Sequence, residues 1–150
     1  MFLLKKFLYK KPKSNIFGCN VALMDTPKDL KYTSDHEWVR IEEGNRVKIG
    51  ITDFAQDALG DIVYVELPDV NRVVAANESF SEVESTKSVS DIYAPLAGKV
   101  VEVNDVLSQS PEKVNSDPYG EGWICVIEIS DKESMESMLN VQDYLALTVA

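Results

Sequence analysis

Between Ser81 and Pro95 the chain reads SEVESTKSVSDIYAP, a polar tip of Ser85, Thr86, Lys87 and Ser88 set between two strand-like runs. Phe80 and Val83 stand before the tip in a weakly alternating run. Val89, Ile92 and Tyr93 follow it, and Pro95 and then Gly98 break the pattern. Alternation on both sides of a short polar reversal predicts a β-hairpin that turns over Glu84 to Ser88, although no Asn-Gly or Asp-Gly marks a two-residue loop. Such a hairpin leaves Lys87 exposed on a stiff support, where a modifying enzyme can reach it. The plainer alternative is a solvated turn lysine, which is the commoner use of such a residue.

The remainder of the chain repeats this short-strand rhythm. Tyr32, then Glu37 to Ile41, then Arg46 to Ile51 read as β-structure joined around Glu43-Gly44-Asn45. Thr52 is placed to cap a short helix over Asp53 to Leu59, with Phe54, Ala55, Ala58 and Leu59 at helical spacing and Gly60 to end it. Asp61 to Leu67 is a β-branched strand stopped by Pro68, and Val73-Val74 begins another. Gly98 to Val103 is the clearest strand of the second half, with Asn104-Asp105 as its stop. Ser108 to Tyr119 is turn-rich with room for one helical turn near Glu112 to Val114, and Trp123 to Ile129 is a core strand. At the end, Ser130-x-x-Glu133 reads as a capping box opening a helix with Met135, Met138 and Leu139 on one face, and Asn140-x-x-Asp143 as a second, shorter start. The methionines read as core packing.

Charge divides the chain unevenly. All 25 Asp and Glu residues follow Met24, whereas Lys5, Lys6, Lys10, Lys11 and Lys13 precede it. An acidic body disfavours nucleic acid, whose phosphates demand a basic surface, and favours partners with basic patches. Residues 1–23 are too often broken by charge to span a membrane. They read as a basic extension outside the fold, either an upstream stretch from a misplaced start with Met24 as the true beginning, or a targeting segment; the first is preferred. Residues 24–150 are expected to form one domain. Cys19 and Cys125 are too few for a disulfide framework, and His36, the single histidine, can build neither a metal cluster nor a Ser-His-Asp or Cys-His site alone. An enzyme would have to work with carboxylates only.

Six islands stand in one order: His36-Glu37-Trp38; Gly50 to Gln56; Leu59 to Pro68; Glu84-Ser85-Thr86-Lys87; Tyr93-Ala94-Pro95; and Gly98 to Asn104. With Val114 to Tyr119 and Gly122-Trp123 they carry a resemblance, from about Leu30 to Tyr144, to the H-protein family of the glycine cleavage system. The resemblance implies a mainly β fold, a barrel-sandwich hybrid of small antiparallel sheets of the lipoyl/biotinyl type, with a short internal helix and C-terminal helices. It implies that Lys87 carries lipoic acid in amide linkage and that the chain is a carrier without turnover of its own. The carrier would move an aminomethyl intermediate from a glycine decarboxylase (P-protein) to a folate-dependent aminomethyltransferase (T-protein), and a dihydrolipoamide dehydrogenase (L-protein) would reoxidise the dithiol. A lipoate ligase or octanoyltransferase would supply the cofactor. The alternative role within the family is a lipoyl or octanoyl relay to other complexes.

The resemblance further implies a cleft where carboxylates hold the loaded amine, and by motif position Glu37 and Asp91 are the candidates; a solvated surface acid is the alternative for each. Glu84, beside the target, is the candidate for recognition by the modifying enzyme. Once amidated, Lys87 loses its charge, so Glu82, Glu84 and Asp91 dominate the hairpin's field and can guide docking on basic partners. Two departures stand out: Ala58 where some relatives have a histidine on the short helix, and Thr86 where an apolar residue is usual. His36 reads as a local structural partner and not as the missing imidazole. Related carriers fit less well, since an acyltransferase lipoyl domain usually flanks its lysine with Asp and Ala, and a biotin carrier with Met on both sides. The implied protein is a monomer with no membrane and no nucleic-acid partner. It is cytoplasmic if it starts at Met24, or in the mitochondrial matrix if residues 1–23 are a transit peptide.

Overall fold

The computed structural model describes residues 25–148, so the expectations for residues 1–23 and for Cys19 lie outside the described residues. Nine strands run in chain order: β1 Lys31–Tyr32, β2 Glu37–Ile41, β3 Arg46–Ile51, β4 Ile62–Glu66, β5 Val73–Val74, β6 Ser79–Ser85, β7 Val89–Tyr93, β8 Gly98–Val103 and β9 Cys125–Ile129. They form two antiparallel sheets, one of six strands in the order β1-β2-β3-β9-β8-β5 and one of three in the order β4-β6-β7. This is the layered, mainly antiparallel architecture that the short alternating runs predict.

One main core lies between the sheets. Ile49, Ile51, Val65, Val83, Ile92, Val100 and Ile127 are all buried there, drawn from strands of both sheets. The internal helix α1 (Asp53–Leu59) forms where expected: Thr52 Oγ accepts from the Ala55 amide, and Gly60, at φ 85°, turns its own N–H onto Gln56 O to end the helix. Ala55 and Leu59 face the core. A smaller aromatic cluster of Tyr32, Trp38, Tyr119 and Tyr144 fills the other side of the six-stranded sheet, with Tyr32 and Tyr144 stacked at 4.6 Å. Gly50 is required there, because a Cβ on it would lie 2.6 Å from the Trp38 ring.

Three expectations are corrected. The turn-rich segment holds two one-turn helices, α2 (Val106–Gln109) and α3 (Lys113–Ser116), of which only the second was expected. The C-terminal capping box does not form: Asp131, not Ser130, receives the Glu133 amide, and the turns it starts are 3-10 (Lys132–Ser137). The Ser130 amide is held by Ala97 O, so the donor that Glu133 would accept in a capping box is already engaged. Leu139 consequently leaves the face shared with Met135 and Met138 and bridges to Tyr32 through a pair of backbone hydrogen bonds. Met135 and Met138 do pack against the core. The last helix, α4 (Val141–Thr148), begins where Asn140 Oδ1 accepts the Asp143 amide at 2.8 Å.

Candidate functional site

The lysine hairpin forms with the reversal at Thr86-Lys87, and Ser85 closes it. The Ser85 amide donates to Ser88 O at 2.8 Å, while Ser85 Oγ accepts from the Lys87 and Ser88 amides, each at 3.1 Å. A serine hydroxyl thus supplies what an Asn-Gly turn would otherwise obtain from its backbone, and this explains how the tip tightens without glycine. The Thr86 amide donates to Asp61 O at 3.0 Å and ties the tip to the entry of β4. Lys87 is exposed, and its stem lies over Gly60: a Cβ at that glycine would stand 3.2 Å from Lys87 Cε and 3.4 Å from Nζ. Among the described residues no carboxylate is ion-paired with this ammonium.

Asn115, from α3, holds the floor beneath the lysine. Its amide nitrogen donates to Gly60 O and to Gln56 Oε1, both at 2.9 Å, and its Oδ1 accepts the Ile62 amide at 2.8 Å. One side chain therefore joins the end of α1, the Gly60 turn and the start of β4. The tip that carries Lys87 rests on a base braced from three directions.

Glu37 opens β2 and is 1 % exposed. Its Oε1 accepts from the Thr33 hydroxyl at 2.6 Å, and its Oε2 is buried with no hydrogen-bond partner among the described residues. Burial pushes the carboxyl up to about 8, with Asp35 adding to the rise and the Thr33 hydroxyl and Tyr93 backbone opposing it. Asp91 faces outward on β7, where it pairs in register with Glu82, and the Tyr93 hydroxyl's pKa rises through burial first and the Asp91 charge next. Glu37 and Asp91 stand on strands of different sheets, one dry and one half-exposed, and the charge of each raises the Tyr93 pKa. Neither is ion-paired with Lys87. Glu84 flanks the tip directly, opposite Tyr64 on one side and Val89 on the other.

The family model described as "Glycine cleavage H-protein" matches residues 30–149. The chain belongs to the glycine cleavage H-protein family. A glycine cleavage system H protein of Nocardia farcinica is 60% identical over 114 residues, covering 76% of this chain and 86% of that relative. One of Anaeromyxobacter sp. (strain K) is 54% identical over 123 residues, covering 82% and 95%. Among solved structures, a glycine cleavage system H protein from Mycobacterium marinum superposes with a TM-score of 0.76 at 41% identity, over 83% of this chain and all of that one. The resemblance read from the motif islands is that of the H-protein family, and the barrel-sandwich fold class agrees with the H-protein structure.

Within this H-protein fold, His36 is held as a structural partner: its Nδ1 lies 2.7 Å from the Tyr144 hydroxyl and its ring stacks on Phe54 at 5.2 Å. Tyr144 also meets Thr52 Oγ1 at 2.7 Å, so the last helix locks the segment that leads into Glu37. Sequence reasoning missed Ser85, Gly60, Asn115, Tyr93 and Tyr144 as supports of the site. Tyr93 was read only as a strand residue and island member, and Asn115 only as an island member, neither with a role in the site.

Proposed function

We propose that this chain is the lipoyl-carrying shuttle of the glycine cleavage system, a carrier component and not an enzyme, with Lys87 as the attachment point. The observation that carries this reading is the Lys87 tip, a solvent-facing ammonium without an ionic partner among the described residues, on a hairpin braced by Ser85, Gly60 and Asn115. Those residues fit lipoate, because an amide-linked group needs an accessible amine on a stiff mount and free space beyond it. When attached, the dithiolane supplies the sulfur that takes up a glycine-derived aminomethyl group and the dithiol that is afterwards reoxidised. The chain's own contribution is presentation and shelter. Glu84 offers a charge beside the target for the lipoate ligase or octanoyltransferase. Glu37 and Asp91 are the carboxyl groups for a protonated amine; Glu37, neutral in its dry site in the unloaded protein, has an oxygen without a partner among the described residues, and ionising beside an arriving cation would make that hydrogen bond charge-assisted.

On this reading the partners are the glycine decarboxylase, the aminomethyltransferase and the dihydrolipoamide dehydrogenase, each met by a monomer. Residues 24–150 form the single domain and residues 1–23 a basic extension to it. The relatives named above are bacterial, which supports a bacterial cytoplasm over a mitochondrial matrix. Among the described residues no helix is long and apolar enough to cross a membrane. The relay of lipoyl groups to other complexes gains nothing from these matches, whose names are those of the glycine cleavage component.

The test is peptide mapping after expression with a lipoate ligase and lipoate. Lipoyl mass on Lys87 is expected. Modification on the strand lysine Lys99, or on neither, overturns the carrier reading.

A further inference from the structure

The three strands that carry the hairpin have an outer face that the core does not need. Register places Tyr64, Glu84 and Val89 side by side across β4, β6 and β7, and Glu66, Glu82 and Asp91 side by side in the next row. The inward row between them, Val65, Val83 and Ser90, is buried. A bulge in β4 between Ile62 and Tyr64 turns both Val63 and Tyr64 outward, at 52% and 49% exposure, and Val89 is 41% exposed. Apolar side chains therefore flank Glu84 in the row nearest Lys87.

The second row is costly in the free protein. Carboxylates directly opposite one another on adjacent strands repel. Among the described residues Glu66 and Glu82 have no ion pair, and the nearby Arg72 is engaged by Glu78 at 2.8 Å. A face that combines surplus acid with outward-turned apolar groups is matched by a surface with a basic rim and an apolar floor.

We propose that this outer face, the Tyr64-Glu84-Val89 row with the Glu66-Glu82-Asp91 row behind it, is the docking surface for the enzyme that acylates Lys87. The proposal rests on the carrier reading of that lysine. Enzymes that act on the far end of a long arm can stand away from the hairpin. The acylating enzyme cannot: Nζ, having lost a proton, attacks the carbonyl of the lipoyl adenylate, the C–N bond forms, and the C–O bond to AMP breaks with its electrons leaving on AMP. Its active site must close to bonding distance on an atom one side chain from the backbone, and so it covers the neighbouring rows. Tyr64 and Val89 rest on its apolar floor, and Glu66, Glu82, Glu84 and Asp91 face its lysines and arginines.

The test uses the full chain with a purified bacterial lipoate ligase, ATP and lipoate, followed by mass. For Tyr64→Ala/Val89→Ala the KM for the carrier is expected to rise about ten-fold, the equivalent of about 1.4 kcal/mol, with kcat within two-fold of the parent. For Glu66→Lys/Glu82→Lys the KM rises similarly and the salt dependence of kcat/KM flattens. Ile41→Ala and Val73→Ala, at 63% and 74% exposed positions on the six-stranded sheet, stay at parent values. If a double variant melts early, Tyr64→Ser and Val89→Ser singly carry the measurement. Parent-like KM in the face variants, equal shifts in the two controls, or a fall in kcat at unchanged KM overturns the docking surface while leaving the carrier reading intact. A parent chain that takes no lipoyl group at Lys87 overturns the carrier reading itself.

Discussion

Glu37 offers a test in which the structure sets the size of the effect. Its carboxyl is raised from 4.5 to about 8 because burial strips its water, an effect that the Thr33 hydroxyl and the Tyr93 backbone offset in part and the Asp35 charge reinforces. The folded protein therefore binds a proton at Glu37 that the unfolded chain gives up, over the window between pH 4.5 and about pH 8. With more protons on the native state, unfolding free energy falls as pH rises: this group's contribution is fully present below pH 4.5 and is lost by pH 8 and above. The slope approaches 1.4 kcal/mol per pH unit, so Glu37 alone should remove about 2 kcal/mol of stability between pH 6 and pH 8. Glu37→Gln keeps the shape and an acceptor for Thr33 but cannot titrate. Urea unfolding of parent and variant at pH 6 and pH 8 should show the parent losing about 2 kcal/mol more than the variant, since the other titrating groups are common to both. Parallel pH profiles would refute the claim that a dry, neutral acid sits at the start of β2. The same substitution should shorten the lifetime of aminomethylated protein in the absence of the folate enzyme, because glutamine cannot ionise beside the cationic amine as Glu37 can.

Two further substitutions probe the supports of the site. Asn115→Ala removes three hydrogen bonds that join Gln56, Gly60 and Ile62, and should cost about 1–3 kcal/mol in denaturant unfolding, with faster hydrogen exchange at the Ile62 amide. Unchanged exchange at Ile62 would show that the Gly60 turn stands without this brace. Tyr144→Phe leaves His36 Nδ1 and the buried Thr52 hydroxyl without the group they share and should cost about 1–3 kcal/mol. Tyr32→Phe, which loses only a bond to Pro27 O, should cost less on the same unfolding assay.

Features decided within a few residues were legible in the sequence. The hairpin around Lys87, the turn at Gly44, the Thr52 cap and the Gly60 stop each depend on turn chemistry and on alternation with period two or 3.6, and the side chains that make them are neighbours in the chain. Where two local solutions competed, the rest of the fold took part in the outcome: Ala97, on a different strand connection, engages the Ser130 amide that a capping box would need, and Asp131 caps the turn in its place. The four-residue helix Val106–Gln109 was invisible for a related reason, since it is too short to show a period and its one buried residue, Leu107, has meaning only once β4 lies beside it.

The site divides in the same way. The position of Lys87 at the reversal follows from the local pattern. The chemistry around it does not, because it comes from contacts between residues far apart in the chain. Asn115 reaches Gln56 across 59 positions, and Tyr144 reaches His36 across 108. Asp91 lies beside Glu82 only through strand register, where a shift of one residue would turn it to the opposite face. Glu37 is one acid among 25 in the sequence. Its altered proton affinity arises because two sheets close over it and remove its water, and that desolvation exists only in the folded tertiary structure.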